Sequence, residues 1–260
     1  MLVTGMSGFL GQHLSAASEA ADWELLSPSK ALLDVRHRRR VLDEIMAWTP
    51  NVVVHLANRS DDRETIVDGT RYVAEAAASA GSRLIHLSTD LVFNGREQPY
   101  IESDQPDAQL AYGQWKAAAE QMVARAGGNS LIIRTSLLYG TDTRAPIQRD
   151  VAEVVAGRSS MRFFTDEFRC PAHADDVAAA IIALAERVDV TGTLHVAGPR
   201  AMSRAELAGI FAARFGASPA QIPTTTSGES GLGRPTNVVL SSAAAGALGI
   251  RCRPIEDALR

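Results

Sequence analysis

Cysteine is scarce in this chain: Cys170 and Cys252 are the only two among 260 residues, far apart and without a C-x-x-C pair or zinc-finger spacing. That excludes a disulfide framework and gives no support to a structural metal, so both read as buried or incidental thiols. Long apolar runs are also missing. The longest, such as Val177 to Ala185, are too short to cross a bilayer, which excludes a spanning helix. Charge of one sign is weak as well, with a formal net charge of -4. Nothing global therefore draws the chain to nucleic acid. Met1 runs straight into Leu2-Val3-Thr4-Gly5, with no room for a charged region, an apolar core and a cleavage site. The expectation is a soluble, cytoplasmic protein with neither nucleic acid nor membrane as partner.

What is present suits a globular enzyme: 46% hydrophobic and 22% charged residues, enough for one substantial core with a small appended lobe. Short β-rich runs at Trp23 to Ser27, Asn51 to Leu56, Arg83 to Thr89, Ser130 to Ser136 and Thr193 to Ala197 predict strands. They alternate with helical patterns at Arg38 to Trp48, Glu64 to Ala80, Tyr112 to Ala126 and His173 to Val188. Runs such as Val52-Val53-Val54 and Leu131-Ile132-Ile133 are continuously apolar, as strands covered on both faces must be. The fold class is therefore α/β, a doubly wound, Rossmann-type parallel sheet with a small C-terminal substrate lobe. The nucleotide-binding domain is assigned to residues 1–141 and 171–199, and the substrate lobe to 142–170 and 200–260.

The first strand and helix are joined by Thr4-Gly5-Met6-Ser7-Gly8-Phe9-Leu10-Gly11. Glycines at this spacing allow a tight turn, close approach of backbone N–H groups to a pyrophosphate, and packing of the helix on the strand with its positive end toward the anion. Gly5, Ser7, Gly8, Phe9, Leu10 and Gly11 are thus candidate cofactor contacts. A dinucleotide site selective for NAD carries an acid about 20 residues further on. Here the stretch reads Leu26-Ser27-Pro28-Ser29-Lys30, and Ser29 and Lys30 suit a 2′-phosphate. NADP(H) is favoured over NAD(H); the alternative for Lys30 is a solvated loop cation.

Tyr112 and Lys116 stand four residues apart on a predicted helix and share a face. An ammonium beside a phenol favours phenolate, lowering a pKa that starts near ~10 and letting the tyrosine pass a proton at neutral pH. Hydride delivery to a carbonyl carbon requires that proton at the oxygen. Ser88-Thr89-Asp90 ends a predicted strand, on the side where such sheets bind ligands, and the Thr89 hydroxyl can donate to a carbonyl. Arg169 and Arg234, each near a proline, could grip a diphosphate bidentately or sit as surface loop cations. His55 and His86, inside apolar runs and without ligand spacing, read as core histidines and not as metal ligands. His173, Asp175 and Asp176 read as a helix start, and no catalytic metal is expected.

These motifs together resemble the extended short-chain dehydrogenase/reductases, specifically the dTDP-4-dehydrorhamnose reductase group. The likeness covers nearly the whole chain: Thr4 to Gly11, Val52 to Ala57, Ser88 to Gly95, Tyr112 to Lys116 with Glu120, Arg134-Thr135-Ser136 with Tyr139-Gly140, and Gly233-Arg234-Pro235. The resemblance implies Thr89, Tyr112 and Lys116 as a catalytic trio, with Asp90 touching the sugar near the reacting carbonyl. It further implies Asp34 and Val35 at the adenine, Leu56, Ala57 and Ser88 along the cofactor, and Lys116 on the nicotinamide ribose. Leu91 stands where rhamnose-type reductases carry tyrosine, Leu137 where relatives carry tryptophan, and Ile66 where many place asparagine. These departures bear on the sugar pocket and not on the trio. The implied activity is reduction of a 4-keto group on a nucleotide-linked deoxysugar, by a chain that can form a homodimer. A noncatalytic nucleotide-binding subunit and a sugar-nucleotide epimerase or dehydratase are the competing classes.

Overall fold

The continuously apolar runs form the middle of a five-stranded parallel sheet in a computed structural model that describes residues 1–141 and 143–260. Position 142, where the sequence-based substrate lobe begins, lies outside the described residues. In chain order the elements are β1 (Leu2–Thr4), α1 (Phe9–Ala20), α2 (Arg38–Trp48), β2 (Val52–His55), α3 (Gly69–Ser79), β3 (Arg83–Thr89) and α4 (Ala111–Ala126). Then follow β4 (Ser130–Thr135), β5 (Leu138–Tyr139), α5 (Pro146–Val155), β6 (Phe163–Phe164), β7 (Phe168–Arg169), β8 (Ala172–His173), α6 (Ala174–Ala185), β9 (Gly192–His195), β10 (Met202–Ser203) and α7 (Arg204–Arg214).

The sheet order is β1-β2-β3-β4-β9, every pair parallel. Alternate strand residues feed two separate cores, because successive side chains of a strand point to opposite faces. Val3, Val54, Ile85, Leu131 and Ile133 pack with Leu10 and Leu14 of α1 and Val177 and Ile181 of α6. Leu2, Val53, Leu84 and Ile132 pack with Val41 and Ile45 of α2, Val73 and Ala77 of α3, and Val123 of α4. Helices thus cover both faces, which is the doubly wound arrangement expected from the sequence.

The predicted strand at Trp23 to Ser27 is a correction: only Leu26 bridges to Leu2, beside β1. Pro28 follows at once and offers no N–H to extend a ladder. The chain nevertheless passes outside β1 before returning to form β2 on its other side. The connections therefore part between the carboxyl ends of β1 and β2, and a crevice opens there. The helix foreseen over Glu64 to Ala80 starts as a π-helical turn, Glu64–Asp68, before α3.

A third core lies off the sheet. Tyr139, Ile147 and Val151, Phe163, Met202, Leu207 and Phe211, and Ile255 close on one another there. Two short strand pairs, β10 with β7 and β5 with β8, tie these later segments together.

Candidate active site

Two clefts meet at the carboxyl edge of the sheet. The first, about 520 Å³, lies in the crevice between the ends of β1 and β2. Gly5, Met6 and Ser7 line it from one side, Ala57, Asn58 and Arg59 from the other, and Ser29, Lys30, Asp34 and Val35 at its far end. Gly5 has φ +78°, and a Cβ there would lie 2.6 Å from the Ala57 nitrogen. A Cβ on Gly11 would meet the Met6 carbonyl oxygen at 2.3 Å, so α1 is seated directly against the turn. Gly8 caps α1 without a side-chain hydrogen bond, and the first turn carries no acid. The helix N-terminus therefore keeps its N–H groups for an anion. Asp34 faces the cleft, but its Oδ2 is held 2.6 Å from Arg36 Nη2, and that guanidinium keeps the carboxyl far below its usual range.

Several residues expected on the cofactor lie elsewhere. Phe9 and Leu10 line the second cleft. Leu56 packs into the core shared with α1 and α6. Ser88 is buried beneath the site, where its hydroxyl donates to Glu120 Oε1 at 2.5 Å. Glu120 also accepts two hydrogen bonds from Arg134, at 3.0 and 2.7 Å, in a buried pair.

The second cleft, about 340 Å³, is walled by Thr89, Leu91 and Tyr112 on one side, Leu137 and Ile147 on another, and Arg169, Arg204 and Arg234 at its base. The arginines are not loose surface cations. Arg169 is buried and forks onto Asp90, with Nε 2.6 Å from Oδ2 and Nη2 on Oδ1. Glu167, with no exposed side-chain surface, lies 3.3 Å from Arg169, 3.1 Å from Arg234 and 3.8 Å from Arg204. Three guanidiniums thus border one cleft with three carboxylates, the buried Asp90 and Glu167 and the lining Asp150, so the formal charges balance and what the cleft offers an anion is the fork of guanidinium N–H groups. Arg204 was not singled out in the sequence. Its signal was Ser203, whose side chain caps α7 and so fixes the first helical residue at the cleft.

Asp90 needs the opposite correction. It is fully buried, and its oxygens accept from Arg169, from Ser136 Oγ at 2.5 Å and from Thr89 Oγ1 at 3.1 Å. It holds the arginine and the threonine that line the cleft and has no surface of its own to offer a sugar.

Tyr112 lies where the clefts adjoin, its phenol facing the polar side chain of Asn58, which lines the first cleft. Burial pushes the phenol up to about 12, opposed by the polar Asn58 side chain. The neighbouring ammonium does not lower it as the spacing alone suggested. Lys116 turns inward, donating to the Leu87 carbonyl at 2.6 Å, with His86 Nε2 at 3.3 Å. Burial brings Lys116 down to about 8, and Glu120 opposes that shift. His173 proves to be the N-cap of α6, accepting from the Asp175 N–H, and Asp175 and Asp176 occupy the first turn.

The whole chain, residues 1–260, matches the model of the RmlD substrate binding domain. The chain belongs to that family. It is 30% identical over 273 residues to the spore coat polysaccharide biosynthesis protein SpsK of Bacillus subtilis, covering 100% of this chain and 95% of that protein. It is 31% identical over 215 residues to a dTDP-4-dehydrorhamnose reductase of Sinorhizobium fredii, covering 76% and 72% of the two. Among solved structures, a Bacillus anthracis dTDP-4-dehydrorhamnose reductase in complex with NADP superimposes with TM-score 0.89 at 24% identity, over 99% of this chain and 96% of the other. The family resemblance and the fold class drawn from the motifs both stand.

Proposed function

We propose that this RmlD-family chain is an NADPH-dependent reductase of a nucleotide-linked 4-keto-deoxysugar. The observation that carries the reading is the meeting of the two clefts at Tyr112: a glycine-turned crevice fit for a dinucleotide on one side, and a cleft based on three arginines on the other. The relatives named as dTDP-4-dehydrorhamnose reductases supply the substrate class, and the one described with NADP supports the cofactor.

In this reading the pyrophosphate rests on the N-terminus of α1 beside Gly5 and Ser7, and the adenosine end reaches Val35, Ser29 and Lys30. Asp34 is already neutralised by Arg36, and Lys30 and Arg59 border the same cleft. A 2′-phosphate is therefore favoured over a bare 2′-hydroxyl, and NADP(H) over NAD(H). Bound there, the reduced nicotinamide supplies a hydride to the carbonyl carbon.

The remaining chemistry belongs to side chains of this protein. Arg204 and Arg234 hold the diphosphate from the substrate lobe, with Arg169 fixed behind them on Asp90 and Glu167. Leu91, Leu137 and Ile147 wall the sugar with apolar surface where an aromatic residue would stack. Thr89 Oγ1 releases Asp90 and donates to the ketone oxygen. Tyr112 donates its proton to the same oxygen as charge develops. A phenol held near 12 is fully protonated at neutral pH, and a sugar alkoxide is a stronger base than phenolate, so the transfer runs in the reductive direction.

The test follows NADPH and NADH oxidation against dTDP- and other nucleotide-linked keto-sugars. Tyr112→Phe is expected to lower kcat by about 10²–10⁴-fold while leaving cofactor affinity unchanged. Full activity in Tyr112→Phe would remove the tyrosine from its role. Tight NADPH binding with no turnover on any substrate would place the chain among noncatalytic nucleotide-binding subunits.

A further inference from the structure

Three in-register residues carry a polar strip across the α3/α4 face of the sheet, beside the buried Ser88, Glu120 and Arg134 group. Thr4, His55 and His86 are successive partners on β1, β2 and β3. Their hydrogen bonds fix one tautomer for His55. Thr70 Oγ1 donates to the Ile66 carbonyl at 2.6 Å, so it can only accept from His55 Nε2, 3.1 Å away. His55 Nε2 therefore carries the proton and Nδ1 accepts from Thr4 Oγ1 at 2.7 Å. The His55 ring, held at both nitrogens, stacks on His86 with centroids 5.4 Å apart and planes 29° from parallel. His86 is 1% exposed, and its Nε2 meets the Lys116 amine at 3.3 Å, while its Nδ1 has no partner among the described residues. An ammonium has three donors and no acceptor, so the imidazole facing it must be neutral and must accept.

We propose that His86 is a positioning residue for Lys116: braced by His55, it accepts a hydrogen bond from the ammonium and, with the Leu87 carbonyl, aims the third N–H toward the dinucleotide cleft. The inference rests on the reductase reading only for its effect on turnover; the placement of the amine stands apart from it. A flexible four-carbon stem is otherwise free to swing. Two fixed acceptors on one strand leave it a single direction.

The charged and titratable groups around the amine are few. Glu120 lies on the same helix and is shared with Arg134 of β4, Tyr112 precedes it by one turn, and His86 and His55 face it from β3 and β2. Removing the His86 acceptor takes away a hydrogen bond that is stronger from the ammonium than from the neutral amine, and the amine should lose its proton more readily.

Lys30 and Lys116 are the only two lysines in the chain, so ¹³C-labelled lysine gives two signals, with Lys30 as internal reference. The experiment titrates both signals in wild type, His86→Phe and His86→Gln, and measures the pH profile of kcat for NADPH-dependent reduction. In His86→Phe the Lys116 transition is expected to fall by about one pH unit. His86→Gln, whose amide oxygen can accept, should recover most of that shift. The high-pH limb of kcat should move with the NMR transition, KM changing little. An unmoved Lys116 signal in both variants overturns the proposal, whatever the activity. A shifted signal without turnover in wild type upholds the positioning and overturns the reductase reading instead.

Discussion

Arg169 and Arg234 line the same cleft, yet their surroundings predict opposite failures. Arg169 is the fork partner of Asp90, which has no exposed surface. Arg169→Ala strands that carboxylate, and losing one member of a buried pair costs about 3–5 kcal/mol, so loss of fold should precede any kinetic defect. Arg234 is 28% exposed and shares Glu167 with two other arginines. Arg234→Ala should cost less than Arg169→Ala, because the buried Glu167 keeps Arg169 and Arg204 as partners. It should also raise KM for a diphosphate-bearing substrate at least about tenfold, since a bidentate contact to phosphate is lost. Thermal melts and initial rates on the two variants separate the roles; equal KM in Arg234→Ala and wild type would take the diphosphate away from this cleft. The sequence showed that Arg169 and Arg234 were interesting without showing why they differ. Asp90 and Arg169 lie 79 residues apart and Ser136 and Asp90 lie 46 apart, so their pairing exists only after the sheet has formed. The same holds for Lys116, whose spacing to Tyr112 was legible while its acceptors, His86 and Leu87, were not.

At the scale of elements the turn from β1 into α1 is tightly seated backbone. Gly11→Ala would place a methyl 2.3 Å from a backbone oxygen that cannot rotate away, so α1 or the Met6 turn must move. Overpacking of this kind costs about 1–3 kcal/mol, and the displaced turn should also weaken NADPH binding. Gly246→Ala is the matched control: it lies in a short helix, Ala243–Ala247, and its Cβ meets nothing within 4 Å. Helix propensity alone makes that change neutral or stabilising by up to about 1 kcal/mol. Equal melting temperatures for the two variants would show that the glycine serves no close approach. Regular elements were readable wherever burial left a clear pattern. Val52 to Val54 and Leu131 to Ile133 are apolar because helices cover both faces. Trp23 to Ser27 was misread as a full strand because Trp23 and Leu25 pack against the α1/α6 core as single side chains, without a ladder beyond Leu26. The lining of a cleft by Asn58 depends on where β2 stops, and strand ends are not written in periodicity.

Across the molecule, the polar strip beneath the site sets how the fold responds to acid. Burial lowers His55 to about 3 and holds His86 well below its ordinary value, with the Lys116 ammonium lowering both further. Unfolded, each titrates near 6.5. Both are therefore neutral in the fold at pH 5 and protonated once released, so the unfolded state binds more protons and stability falls as pH falls. The contribution is complete above about pH 6.5 and drains away toward pH 3, at up to about 1.4 kcal/mol per pH unit for each histidine. Asp34, depressed by Arg36, also adds stability, but that share persists until pH drops below the ordinary carboxylate value near 4. Above about pH 4 the loss is therefore the histidines' alone, and the two overlap only below it. Urea midpoints at pH 7.5, 6.5, 5.5 and 4.5 should fall steadily through the histidine range, and His55→Asn should reduce the slope by less than half, because burial also lowers His173 and His195, even if it lowers the midpoint everywhere. A midpoint constant down to pH 4.5 would mean the histidines are protonated inside the fold, and the neutral acceptor assigned to Lys116 would then be lost with it.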